Sequence, residues 1–181
     1  MTLSMTQHCE PDAQDLIRLF NACFETSLNT ILIGNGKEPI YLPADAENAH
    51  HRIIFTQDYF SSALHEVAHW CVAGESRRQK VDYGYWYLPD GRNAQQQAKF
   101  ESVEVKPQAL EYAFSLACNV PFRVSIDNLS GETSCSRPFE NAVSEQLKSY
   151  IMSGFNQRTS VFLNALHAFY QTPELSIDAT M

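Results

Sequence analysis

Residues 58–74 contain the segment that most constrains the fold. Phe60, Ala63, Leu64, Val67, Ala68, Cys71 and Val72 recur at helical spacing, which predicts a helix buried over most of its surface. Asp58 stands where a side-chain oxygen caps a helix N-terminus, and Gly74 where helices commonly stop. Inside this segment runs His65-Glu66-x-x-His69. Residues four apart share one helix face, so His65 and His69 can offer two imidazole nitrogens to one ion. Glu66 sits one step round the helix, where hydrolases of this pattern keep a general base. Two histidines and a glutamate on a buried helix are unfavourable without partners, and one metal ion satisfies both histidines. The five-residue pattern alone arises by chance. The buried helix around it gives it weight.

Two histidines bind metal weakly, and a catalytic centre usually adds a carboxylate and keeps positions open. Glu101 and Glu104 lie on a predicted helix, Glu104 thirty-five positions past His69. They are three apart and can share a face. Glu104 is the expected third ligand, with Glu101 as its supporting partner or as the alternative ligand. Cys71 follows His69 by two residues and points to another helix face, so no fourth protein ligand is evident. His50 and His51 read as loop residues before a strand, and His167 as a residue of the last helix.

The rest of the chain reads as one domain over residues 1–181, with 1–10 and 174–181 loosely ordered. An apolar stripe of Leu16, Ile17, Leu19, Phe20, Cys23 and Phe24 predicts a first helix opened at Pro11 or Asp12. Strands are expected at 29–33, broken by Gly34-Asn35-Gly36, at 52–55, and at 81–87, where aromatic residues alternate. Pro39 to Pro43 should be extended, and 121–125 is a further strand candidate. Helices are expected from Asn93, with Pro107 as a kink or a new start, then over 108–118, 138–151 and 158–170, the last burying Val161, Phe162, Leu166 and Phe169. The predicted fold class is α+β: helix-rich, with a small mixed or antiparallel sheet from about 29–33, 52–55 and 81–88, and zincin-like around the helix that bears the HExxH motif.

The net charge is −8 and no run of lysines or arginines occurs, so direct binding of nucleic acid through a basic surface is not expected. Eleven Phe, eight Tyr and two Trp suit a packed core or an aromatic-lined cleft. Five widely spaced cysteines without a C-x-x-C pair suggest neither a zinc knuckle nor a redox pair. No signal peptide and no apolar run near membrane-spanning length is visible. A soluble, cytoplasmic protein without a membrane partner is the expectation.

Longer motifs go further. Pro39 to Ala46, His65 to Cys71, Asp82 to Arg92, Phe100 to Leu110 and Tyr170 to Leu175 resemble the bacterial elongation factor P hydroxylase family, and the likeness runs from about Leu16 to Leu175. The resemblance implies a non-haem, metal-dependent monooxygenase that hydroxylates the β-lysyl-modified lysine of elongation factor P. A facial triad of two histidines and a carboxylate suits Fe(II) with dioxygen as co-substrate. His65, His69 and Glu104 would supply the triad, and Glu66 would act beside it or carry a proton. The electron donor is left open. Helix-borne ligands differ from the strand-borne ligands of jelly-roll oxygenases, so 2-oxoglutarate is not implied. The aromatic segment Tyr83 to Tyr87 would line a slot for a long cationic side chain, with Asp45, Asp82 or Asp90 near its amines. Without the resemblance, the motif points first to a zinc metallopeptidase-like hydrolase using Glu66 as general base. A binding module with a closed structural metal site is the further alternative.

Overall fold

The computed structural model describes residues 11–82, 90–126, 128 and 136–180. Helix α1 (Ala13–Leu28) begins at Asp12, whose side chain accepts from the Gln14 N–H. It buries Leu16, Phe20 and Phe24. Three strands follow: β1 (Thr30–Gly36), β2 (Ile40–Leu42) and β3 (His51–Thr56). Their order in the sheet is β1-β3-β2, with β3 parallel to β1 and antiparallel to β2. Strand β3 leads directly into helix α2 (Phe60–Val72), which carries His65, Glu66 and His69. Helices α3 (Ala94–Ala117), α4 (Ser136–Ser153) and α5 (Gln157–Tyr170) complete an α+β domain.

Among the described residues the third strand is Ile40–Leu42, within the stretch expected to be extended. Pro39 and Pro43 bracket this short edge strand, where a missing N–H is tolerated. Of the later segment, Asp82 pairs with Tyr41 through two backbone hydrogen bonds, of 2.7 and 3.0 Å. Residues 83–89, with most of the strand expected over 81–88 and the expected aromatic slot, lie outside the described residues. Gly34-Asn35-Gly36 do not end β1, contrary to expectation. The register shifts between Ile33 and Gly36, and Asn35 takes the left-handed conformation at φ 63°. Asn35 N–H then donates to the Gln57 carbonyl at 2.7 Å, and Gln57 N–H to the Gly36 carbonyl at 2.8 Å. A Cβ on Gly36 would lie 2.8 Å from the Phe55 carbonyl oxygen, so only glycine fits this bulge. The bulge fixes the chain immediately before α2.

Both ends of α2 are held differently from the sequence expectation. The residue before the first turn is Tyr59, which makes no side-chain cap. Asp58 does not cap; its Oδ1 would be 2.6 Å from a Cβ on Gly34, so its carboxylate lies against β1. The Ser62 hydroxyl accepts from the Thr56 N–H at 3.1 Å. At the other end Arg158 Nη2 donates to the Cys71 and Ala73 carbonyls at 3.1 and 2.6 Å, and Asn156 Nδ2 to Cys71 at 3.1 Å. The start of α5 thus satisfies carbonyls that a helix end leaves unpaired, which no local glycine could do.

The core joins four helices through aromatic rings. Phe20 lies edge-on to Trp70 at 5.2 Å and to Phe162 at 5.7 Å, and Phe114 meets Phe162 at 5.1 Å. In α5 the buried positions are Thr159, Phe162, Leu163 and Leu166. Val161 and Phe169 are exposed, contrary to expectation, because the buried stripe runs one residue round from them. Cys71 and Cys118 are buried.

Helix α3 runs unbroken through Pro107. A helical proline costs about 3 kcal/mol. Downstream, Leu110 and Phe114 are fully buried, at about 1.5–3 kcal/mol each, which offsets that cost. The helix starts with a capping box between Asn93 and Gln96. Segment 121–126 is not a strand. The Gln108 side chain pairs with the Ser125 backbone as a neighbouring strand would, accepting from its N–H at 2.9 Å and donating to its carbonyl at 2.8 Å. Arg92, expected in a turn, is buried. It donates to Gln97 Oε1 at 2.9 Å and the Ile126 carbonyl at 3.0 Å, with its guanidinium 4.0 Å over the Phe100 ring. Arg92→Ala should destabilise the fold by about 2–4 kcal/mol by leaving buried acceptors unpaired. Urea denaturation measures this, and a loss within error of zero would show that the brace carries no stability.

Candidate metal centre

Packing of α2 against α3 creates the site. His65 and His69 stand one turn apart on α2, and Glu104 faces them from α3. Their nearest ligand atoms all lie within 4.8 Å of one another. His65 Nε2 is 3.0 Å from His69 Nε2. Glu104 Oε1 is 3.3 Å from His69 Nε2, and its Oε2 is 3.7 Å from His65 Nε2. An ion about 2.1 Å from each ligand atom separates neighbouring ligands by about 3.0 Å at octahedral angles and about 3.4 Å at tetrahedral ones. The donor set therefore fits a divalent cation in type and in spacing.

Glu111 is a member that sequence reasoning missed. It lies seven residues past Glu104, on the same face of α3. That periodicity was a readable signal. Its Oε2 accepts from His65 Nδ1 at 2.7 Å. This bond fixes the imidazole so that its other nitrogen, Nε2, faces His69 and Glu104, where loss of its proton would free a lone pair for a metal ion. Gln108 is the second unforeseen member: its Nε2 donates to Glu104 Oε2 at 3.3 Å while the same side chain holds Ser125. Glu101 stands a turn before Glu104, accepts from Gln97 Nε2 at 3.0 Å and does not join the cluster.

The cluster is short of positive charge. Burial disfavours charge on His65, but the Glu111 carboxylate and its hydrogen bond outweigh this and bring the pKa up to about 10, with Glu104 and Glu66 adding to the effect. Burial likewise opposes ionisation of Glu104, yet the His69 hydrogen bond and the two imidazoles bring it down to about 2. Glu66 is raised, chiefly by burial, against the pull of His65 and His69. A bound cation would supply the missing charge in place of protons.

The cluster opens into a cleft of about 280 Å³, lined also by Pro39, Tyr59, Ser61, Ser62, Glu66 and Phe100. Three of its walls are carboxylates: Glu66, Glu104 and Glu111. The other acids named from sequence serve locally. Asp45 closes its own loop by accepting from the Glu47 and Asn48 N–H groups and pairs with Arg52 at 3.0 Å. Asp82 pairs with Arg77. Asp90 accepts from the Gly91 N–H. His51 accepts from the Ala44 N–H, His50 lies 3.8 Å from Glu25, and His167 contacts Thr172.

An α+β domain that brings two histidines and a buried carboxylate from two packed helices to the floor of an acidic cleft is a candidate metalloprotein with helix-borne ligands. The comparisons sharpen this. A family model for elongation factor P hydroxylase matches residues 19–180. The elongation factor P lysine hydroxylase of Haemophilus influenzae is 48% identical over 165 residues, spanning 91% of this chain and 93% of that protein. The chain belongs to the elongation factor P hydroxylase family. Among the described residues, no helix is long and apolar enough to cross a membrane.

Two outcomes are expected. Glu111→Ala should weaken binding of a divalent metal by about 10–100-fold, the usual loss for a partner that orients a ligand. Competition against a chelator measures it, and unchanged affinity would remove Glu111 from the site. Since metal-free His65 is protonated at neutral pH, metal binding should release about one proton at pH 7, so affinity should rise with pH. Calorimetry in buffers of different ionisation enthalpy counts the proton, and a count of zero would contradict the charge balance above.

Proposed function

We propose that this protein hydroxylates a lysine side chain of elongation factor P, in its β-lysylated form, as a metal-dependent monooxygenase. The observation that carries the reading is the convergence of His65, His69 and Glu104 on the floor of an acidic cleft, in a chain of this family. In this reading those three side chains hold Fe(II) in a zincin-like setting, and the whole chain works as one hydroxylase domain. The ion, with its remaining positions open, supplies the redox chemistry with dioxygen. The proposed substrate is a translation factor, so the enzyme works in the cytoplasm.

The chain's own residues account for the rest. Glu111 holds the His65 ring in one orientation, and Gln108 does the same for the Glu104 carboxylate. The acidic walls favour entry of a cationic lysine arm, whose methylenes can lie along Pro39, Tyr59 and Phe100. Glu66, pushed toward its neutral form by burial, can hold a proton at its carboxyl group beside the cluster. It needs no hydrolytic role here.

Intact mass of β-lysylated elongation factor P, after incubation with Fe(II)-loaded protein and a reductant in air, tests the reading. A gain of one oxygen atom is expected, absent without oxygen. His65→Ala, His69→Ala and Glu104→Ala should lower the yield by at least about a hundredfold. Glu66→Gln should slow the reaction by about 10²–10⁴-fold if the group transfers a proton. No mass gain, with peptide cleavage that Glu66→Gln abolishes, would mean that the centre serves a hydrolase.

A further inference from the structure

Two further spaces adjoin the metal cleft. One shares Glu66 and His69 with it and measures about 30 Å³, room for one water molecule. The other shares Tyr59, Ser61 and Glu111 with it and measures about 580 Å³. This larger cavity lies between the first half of α2, the second half of α3 and residues 120–123. Its apolar walls include Phe60, Leu64, Val120 and Phe122. Phe122 stacks on Tyr112 at 4.6 Å, and Gln108 holds the Ser125 backbone, so α3 braces this wall. The charged residues that line the cavity are Asp58, Glu111 and Arg123. Glu111 is engaged by His65. Asp58 and Arg123 are exposed, and among the described residues neither forms an ion pair.

The substrate read above is longer than a lysine. Its β-lysyl group is joined by an amide to the lysine nitrogen and adds an aliphatic chain with two amino groups. With a carbon of the lysine stem facing the metal cluster, that group reaches about 9 Å beyond the lysine nitrogen at ordinary bond lengths. It then lies either in solvent or in a space continuous with the cleft. Solvent would forgo burial of its methylenes. The space beside Glu66 and His69 is too small for it. The larger cavity has the room, apolar walls for the methylenes, and in Asp58 a carboxylate without an ion-pair partner.

We propose that the cavity walled by Asp58, Phe60, Leu64, Val120 and Phe122 is the subsite for the β-lysyl group, with Asp58 as partner to one of its ammonium groups. Tyr59, on the shared wall, marks the divide between this subsite and the metal cleft. Arg123 opposes the ammonium groups and limits how tightly they are held. The inference rests on the hydroxylase reading and deepens it: the enzyme recognises the modification itself, in a place that an unmodified lysine leaves empty.

The test is amide chemical-shift mapping of the full-length protein, loaded with Zn²⁺ so that no turnover occurs, against elongation factor P in its unmodified and β-lysylated forms. The β-lysylated form should shift the amides of Ser115, Val120, Phe122 and Arg123 beyond any shift that the unmodified form gives. Asp58→Asn should weaken binding of the β-lysylated form by about threefold, and Arg123→Gln should tighten it by about as much. Both side chains are exposed, so neither change threatens the fold, and opposite signs are not what a structural role would give. Equal shifts of the cavity amides with both forms, or shifts confined to cleft residues such as Ser62 and Phe100, overturn the subsite and leave the hydroxylase reading standing. Variant effects equal for the two forms assign Asp58 and Arg123 to docking of the protein surface and overturn it as well. No shift with either form overturns elongation factor P as the substrate, and the subsite with it.

Discussion

The hydrogen bond from His65 Nδ1 to Glu111 ties α2 to α3 at the point where the chemistry sits. With it, the two imidazoles and the Glu104 carboxylate face one another at separations suited to one ion. Without it, the His65 ring loses its fixed tautomer, and Glu111 becomes an unpaired carboxylate in a largely buried setting. Much of the rest of the fold holds this pair of helices in register. The bulge at Gly34–Gly36 sets where α2 begins, and Arg158 and Asn156 hold its last carbonyls. Arg92 and Gln108 pin the 121–126 segment along α3, beside Glu104.

Packing and electrostatics divide the work. The aromatic contacts among Phe20, Trp70, Phe114 and Phe162 lock α1, α2, α3 and α5 together without any polar group. The opposite side of α2 concentrates histidines and carboxylates, an arrangement that stability alone would not select. The three candidate ligands each have a partner: Glu111 for His65, Gln108 for Glu104, Glu104 for His69. That division explains how one helix can be apolar on most of its surface and still present a reactive face.

The local signals in the sequence carried much of this. Helical periodicity in α1 and α2 and the His65/His69 pair were legible because each rests on residues near in sequence. Glu104 was reachable through its position on a downstream helix. Long-range pairing was not legible in the same way. The pairing of Ile40–Leu42 with β3 is one such case, because register depends on which strand lies nearest in space. The Asp58 cap failed because that carboxylate packs against β1, a contact invisible to local sequence. Segment 121–126 is not a strand because its Ser125 backbone pairs with the Gln108 side chain and not with a neighbouring strand. Arg92 read as a surface turn because nothing local announces that a guanidinium will be buried among carbonyls and a ring. Glu111 could have been found from its seven-residue spacing to Glu104.

The most direct test of this account is the anomalous scattering of crystals grown with Fe(II) under anaerobic conditions. The account predicts one strong peak bonded to His65 Nε2, His69 Nε2 and a Glu104 oxygen, with Glu111 still hydrogen-bonded to His65 Nδ1. A peak liganded by other residues, or full metal loading in the Glu104→Ala protein, would contradict it.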